Sequence, residues 1–187
     1  MTAAGGTVKI KGKNRAAQGR QGGSLQWKWW ICTTRIGSPW GGEYRTVVHV
    51  CVFDSRGRLL IQQRSREKAV WPEAWDVSAA GGVDAGETSR QAAEREFREE
   101  LGIPLDLGTL RPSCTVNFDG GFDDFFLVER DVDLSAAVLQ KEEVAQVRWA
   151  DLPEILDMVD QGAFIDYPKS FLAFLFDMRG TFGFSTK

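Results

Sequence analysis

Apolar positions change their spacing several times along this chain, and each change marks an element. Tyr44 to Phe53 (YRTVVHVCVF) is β-branched and apolar enough for a buried strand. Asp54-Ser55-Arg56-Gly57 is a turn, and Arg58 to Arg64 (RLLIQQR) returns as a second strand, so a hairpin is expected. Ser65 to Trp75 is a polar loop that closes with Trp71, Pro72 and Trp75; Asp76 to Ala80 then reads as a short strand leading to a glycine-bearing turn at Gly81. From Ser89 the spacing becomes helical, with Ala93, Phe97 and Leu101 on one stripe. Thr88 with Gln91 forms a capping-box signature and Gly102 suits a left-handed cap, which predicts a helix over Ser89 to Leu101. Ser113 to Glu129 predicts two strands about a turn at Asp119-Gly120-Gly121, with Phe125 to Val128 as the apolar core of the second. Val132 to Leu139 is connection and VAQVRW, from Val144, a strand. Asp151 to Gln161 and Ser170 to Met178 are helices expected to cover one sheet face, the first with Pro153 near its opening turn and the second ended by Gly180. Phe164, Tyr167, Phe171, Phe174 and Phe176 are core candidates.

Length adds a bound: 187 residues suffice for one domain with a sizeable core. Charge divides it. Residues 1–45 hold eight basic side chains and one acid, against fifteen and twenty-five in the remainder. Residues 1–24 are rich in Gly, Lys, Arg and Gln with little to bury, a composition expected to be disordered. Leu25 to Trp40 crowds Trp27, Trp29, Trp30 and Trp40 into a stretch without clear periodicity, suited to packing on the domain, packing on a partner subunit, or exposure. The expected division is an extension over 1–41 and one domain over 42–187. Cys32, Cys51 and Cys114 form neither a CxxC pair nor an even set, so reduced thiols are expected. No apolar run has membrane-spanning length and no signal-peptide pattern opens the chain, which sets the expectation of a soluble, cytoplasmic protein.

The candidate chemistry lies on the helix. Glu96, Glu99 and Glu100 fall in one narrow sector beside the apolar stripe, where like charges three and four residues apart repel and no lysine relieves them. A divalent cation would do so, and hard carboxylate oxygens suit Mg²⁺ or Mn²⁺, which proteins commonly hold together with substrate phosphates. Taken alone, EREFREE has the ordinary reading of a solvated helix face. The spacing around it changes that reading: Gly81, Glu87, Arg95-Glu96-Phe97, Glu99-Glu100 and Gly102-Ile103 stand at fixed intervals.

That run resembles the complete Nudix box, and VVHVCVFDSRGRLLIQQR with WPEAWDVSAAGG is similar to the branch of Nudix domains that look like isopentenyl-diphosphate isomerase. The resemblance implies an α/β fold, an α/β/α sandwich around a mixed sheet, and metal-dependent hydrolysis of a diphosphate linkage in a nucleoside-diphosphate derivative or similar small molecule. It implies that Glu96, Glu99 and Glu100 bind Mg²⁺ or Mn²⁺, with Glu96 or Glu99 as general base. Arg95 would orient a catalytic glutamate, Glu87 would brace the box, and the carbonyl of Ala80 would be a further ligand. Direct attack by water fits a box that offers carboxylates and no Ser, Cys or His nucleophile. Isomerase activity, as that branch has it, needs a cysteine and histidines around WDVSAAGGV, and this segment has neither.

Further acids have two readings each. Asp123 and Asp124 are turn acids, or one projects to the metal site; Glu142 and Glu143 are solvent-exposed, or one is the extra acid that Nudix enzymes place opposite the box. Trp71 is a loop anchor or a stacking surface for a nucleobase. His49, the single histidine, has no ligand pattern around it, and a structural role in the sheet is expected. Two other classes stay open: a non-catalytic nucleotide-binding or regulatory Nudix module, and a nucleic-acid-associated protein using the basic tail. A homodimer is a further possibility for domains of this kind.

Overall fold

The structure is a computed structural model and describes residues 44–181. The expected N-terminal extension, its tryptophans and Cys32 lie outside the described residues.

Strand β1 (Arg45–Phe53) is the axis of the sheet. Its alternation sends Val48, Val50 and Val52 to one face and Cys51 and Phe53 to the other. On one edge it pairs in parallel with β6 (Gly121–Glu129), which pairs antiparallel with the edge strand β5 (Cys114–Phe118). On the other edge it pairs antiparallel with β4 (Ala79–Gly82), from Val47 opposite Gly82 to Val50 opposite Ala79. The hairpin partner β2 (Leu59–Arg64) meets β1 only at Phe53 opposite Leu59 and then diverges to pair with β3 (Trp75–Asp76) and β7 (Val144–Ala150).

A single hydroxyl makes that fork. Continuing the hairpin register would set Val52 against Leu60. Instead the Val52 N–H donates to Ser78 Oγ at 2.9 Å, and Ser78 Oγ donates to the Leu60 carbonyl at 2.6 Å. Ser78 is fully buried, so no water can substitute for it. Ser78→Ala is expected to destabilise the protein by about 2 kcal/mol, because it leaves a buried donor and a buried acceptor unpaired. Urea unfolding checks this; a change below about 0.5 kcal/mol would show that the strands re-pair without the hydroxyl.

Helix α1 (Ser89–Leu101) covers one face through Ala93, Phe97 and Leu101, packed with Val48, Val50, Val52, Leu60 and Phe126. Both arms of the expected capping box are present at Thr88, and Gly102 stops the helix at φ 71°. Helices α2 (Leu152–Asp160) and α3 (Lys169–Met178) cover the other face through Ile155, Leu172, Leu175 and Phe176, against Phe53, Leu59, Ile61 and Phe125. The result is the expected α/β/α sandwich around a mixed sheet.

Two expectations need correction. Asp76 to Ala80 is not one strand: β3 and β4 are separate because Val77-Ser78 cross from the edge of β2 to the edge of β1 where those strands diverge. Gly81 is a strand residue, and the turn lies beyond it, where Gly86 has φ 85°. Asp123 and Asp124 are not turn acids. They sit inside β6, beyond the turn at Asp119-Gly120. No helix among the described residues is long and apolar enough to cross a membrane.

Candidate active site

Arg95 is the hub on the exposed flank of α1. Its Nε and Nη2 donate to the two oxygens of Glu87 at 3.0 and 2.9 Å, Nη2 also donates to the Gly82 carbonyl at 2.8 Å, and Nη1 donates to Glu96 at 2.8 Å and Glu99 at 3.2 Å. These bonds hold the Glu87 carboxyl below its usual pKa and raise that of the guanidinium, which stays charged throughout. The charge repulsion expected on this sector is thus relieved for Glu96 and Glu99 by their own neighbour. Glu99 is half exposed, whereas Glu96 and Glu87 are largely covered.

Glu100 has no such cation. Buried at the base of the helix, its Oε2 accepts from Gln62 Nε2 at 3.0 Å and from the Ala80 N–H at 3.3 Å. Burial first, and then the charge of Glu96, push its pKa up to about 8. Burial also raises Glu96, against the pull of Arg95 and with smaller contributions from Glu99 and Glu143. The N–H and C=O of one residue in an extended strand point to the same edge, which for Ala80 is the edge from which its N–H reaches Glu100. Gly81 is the seat of Glu96: a Cβ built there would stand 2.0 Å from Glu96 Cδ and 2.1 Å from Oε1. Beside it, Gly82, Val83, Asp84, Arg95 and Glu96 line an open cavity of about 340 Å³. Among the described residues no three carboxylate, imidazole or thiol side chains already converge on one point. Arg95 draws Glu96 and Glu99 to itself. Even so the oxygens fit a hard divalent cation: a buried carboxylate beside a second one, a backbone carbonyl on the same edge, and a half-exposed Glu99 with room to turn.

The model of the NUDIX domain family matches residues 43–170 of this sequence. The chain belongs to the Nudix family. An uncharacterized Nudix hydrolase of Listeria innocua is 48% identical over 138 residues, which cover 74% of this chain and 80% of that protein. Among solved structures, a Deinococcus radiodurans protein at 27% identity superposes with a TM-score of 0.58, over 73% of this chain and 83% of its own. The isopentenyl-diphosphate Delta-isomerase of Escherichia coli (strain ATCC 8739) is 28% identical, over 62% of this chain and 68% of its own. These similarities make the chain a Nudix hydrolase, of a family that acts on phosphoric anhydrides and generally uses divalent cations.

The remaining candidates of the Nudix domain separate. Asp124 accepts from Ser89 Oγ and Thr115 Oγ1, both at 2.5 Å, and so ties β5 and the start of α1 to β6. Asp123 Oδ1 lies 3.3 Å from His49 Nε2, off the line needed for a hydrogen bond. His49 stacks on Phe125 at 4.4 Å and faces Tyr167, which donates to the buried Asp76 at 3.0 Å, a role within the sheet as expected. The charge of Glu143 contributes weakly at Glu96; Glu143 itself pairs with Lys68, while Glu142 is exposed. Trp71 is 48% exposed with φ 53°, in the loop whose Val70 carbonyl accepts from Arg64. Trp75 packs against the α2/α3 core with Arg148 over its ring at 4.7 Å. Gln62 was missed. Its signal was present: in LLIQQR, period two puts it on the face of Leu60, a polar residue where the core pattern wants an apolar one.

Proposed function

We propose that this chain hydrolyses the diphosphate linkage of a nucleoside-diphosphate derivative or similar small molecule with Mg²⁺ or Mn²⁺, by direct attack of water. The observation that carries the reading is the meeting of a buried Glu100, a Glu96 seated on Gly81 and the Ala80 edge, with Arg95 holding the outer carboxylates. Glu96, Glu99, Glu100 and the Ala80 carbonyl would hold the cation. When bound, it neutralises phosphate oxygens and makes water a better nucleophile at neutral pH. The chain's own side chains do the rest. Glu96 or Glu99 takes the proton of the attacking water, while Arg95, braced by Glu87, keeps both carboxylates oriented. As the new P–O bond forms, the anhydride P–O bond breaks and the second phosphate leaves with the electron pair. Glu143, released from Lys68, would serve as the additional acid, and the exposed face of Trp71 would stack on a base.

The test is phosphate release, coupled to phosphatase or pyrophosphatase, from nucleoside diphosphates, nucleotide sugars, dinucleotides and coenzyme A, with and without Mg²⁺ or Mn²⁺. Metal-dependent turnover of one class is expected. Silence across the panel from protein that binds the metal would turn the reading toward a binding module.

A further inference from the structure

Glu100 is gripped from two different strands, and one of the grips comes from β2, far in sequence from the run that marks the box. Gln62, on β2, is 2% exposed. Its Nε2 donates to Glu100 Oε2 at 3.0 Å across the space where β1 and β2 part, and the Ala80 N–H donates to the same oxygen. Both donors therefore occupy Oε2 and leave Oε1 of Glu100 with its lone pairs available. The reverse orientation of the amide would set two acceptor oxygens 3.0 Å apart whenever Glu100 is ionised, so the N–H toward Glu100 is the orientation required. The other end of the amide is the unusual part. Gln62 Oε1 is buried and has no hydrogen-bond partner among the described residues. A buried carbonyl oxygen left without a donor is a group awaiting one, and water in the shell of a cation held by Glu100 would supply it.

We infer that Gln62 is a positioning residue for the cation: its amide fixes which oxygen of Glu100 is presented, and its own carbonyl receives water from the cation's shell. This rests on the reading of the α1 carboxylates as cation ligands. A purely structural Gln62 would serve only to satisfy a buried carboxylate. The two roles differ in what its removal changes: stability alone in the structural case, cation affinity in the positioning case.

The experiment is titration of the full chain with Mn²⁺, following free Mn²⁺ by electron paramagnetic resonance. Gln62→Met keeps length and burial but removes both polar ends; it is expected to weaken Mn²⁺ binding about tenfold, which corresponds to about 1.4 kcal/mol. Turnover at limiting Mn²⁺ is expected to fall in step, with the metal dependence displaced to higher concentration. In a Glu100→Gln background the same substitution is expected to change Mn²⁺ affinity less than about twofold, since the group it acts through has lost its charge. Gln62→Asn, which withdraws the amide by one methylene, takes the place of Gln62→Met should the latter lack the parent's circular dichroism. Parent-like Mn²⁺ affinity in the folded variant would overturn the inference and leave the metal reading standing. Failure of the parent itself to bind Mn²⁺ would overturn both.

Discussion

Glu100→Gln is expected to lower turnover by at least about a hundredfold and, without divalent cation, to make the protein more heat-stable at pH 8 than the parent. The two effects have one cause. Burial and the neighbouring Glu96 raise the Glu100 pKa from its ordinary 4.5 to about 8, so the folded state holds a proton that the unfolded chain has released. A group raised in this way stabilises fully below its unfolded pKa, and that stability is lost as pH climbs through the folded value. In chelator, the parent is therefore expected to lose on the order of a few kcal/mol between about pH 4.5 and 8, a slope the glutamine variant lacks. Excess Mg²⁺ or Mn²⁺ should restore the parent and leave the variant little changed, because binding to the native state alone raises its stability. Melting curves at pH 5, 6, 7 and 8, with chelator and with metal, read this directly. Glu99→Gln should show the same loss of turnover without the thermal gain, since its carboxylate is half exposed. Near-parent turnover in both variants would remove α1 as the catalytic element.

The second large effect is expected from a single methyl group. In Gly81→Ala the new carbon would stand 2.0 Å from the carboxyl carbon of Glu96, closer than any side chain tolerates. The glutamate must swing away and give up its 2.8 Å bond to Arg95. Turnover is expected to fall about a hundredfold, while the strand, whose geometry suits alanine, loses about 1 kcal/mol or less in stability. Gly82→Ala is the control, because nothing lies within 4 Å of the carbon it would add. Steady-state kinetics on the pair, beside their melting curves, separate displacement of Glu96 from damage to β4. Equal rates in the two variants would show that the position of Glu96 is unimportant.

What could be read from sequence was local, and what could not was set by the fork. The bounds of α1, its capping box and its glycine stop follow from residues within four positions of one another, and the structure reproduces them. The turn before β6 was legible from Asp119-Gly120 for the same reason, but the two acids after it were not, because their strand pairs with β1 from across the chain. The division of Asp76 to Ala80 depends on Ser78 bonding backbone groups 26 and 18 residues away. Nothing adjacent to Ser78 announces that. In the site, the three glutamates and Arg95 share one helix, so their spacing revealed them together. Gln62 arrives from another element, and only the folded chain brings it to the carboxylates.

The hydroxyl at the fork also gives the protein the mechanics of a caliper. One pivot, Ser78, joins two blades that a continuous ladder would have welded flat, and the jaws close on the same carboxylate: Ala80 on one blade and Gln62 on the other both hold Glu100. A change of angle at the pivot moves both jaws relative to Glu100. Substitutions in the apolar layer beneath the blades, remote from any reacting atom, should therefore register first as altered grip on the cation, before stability records them.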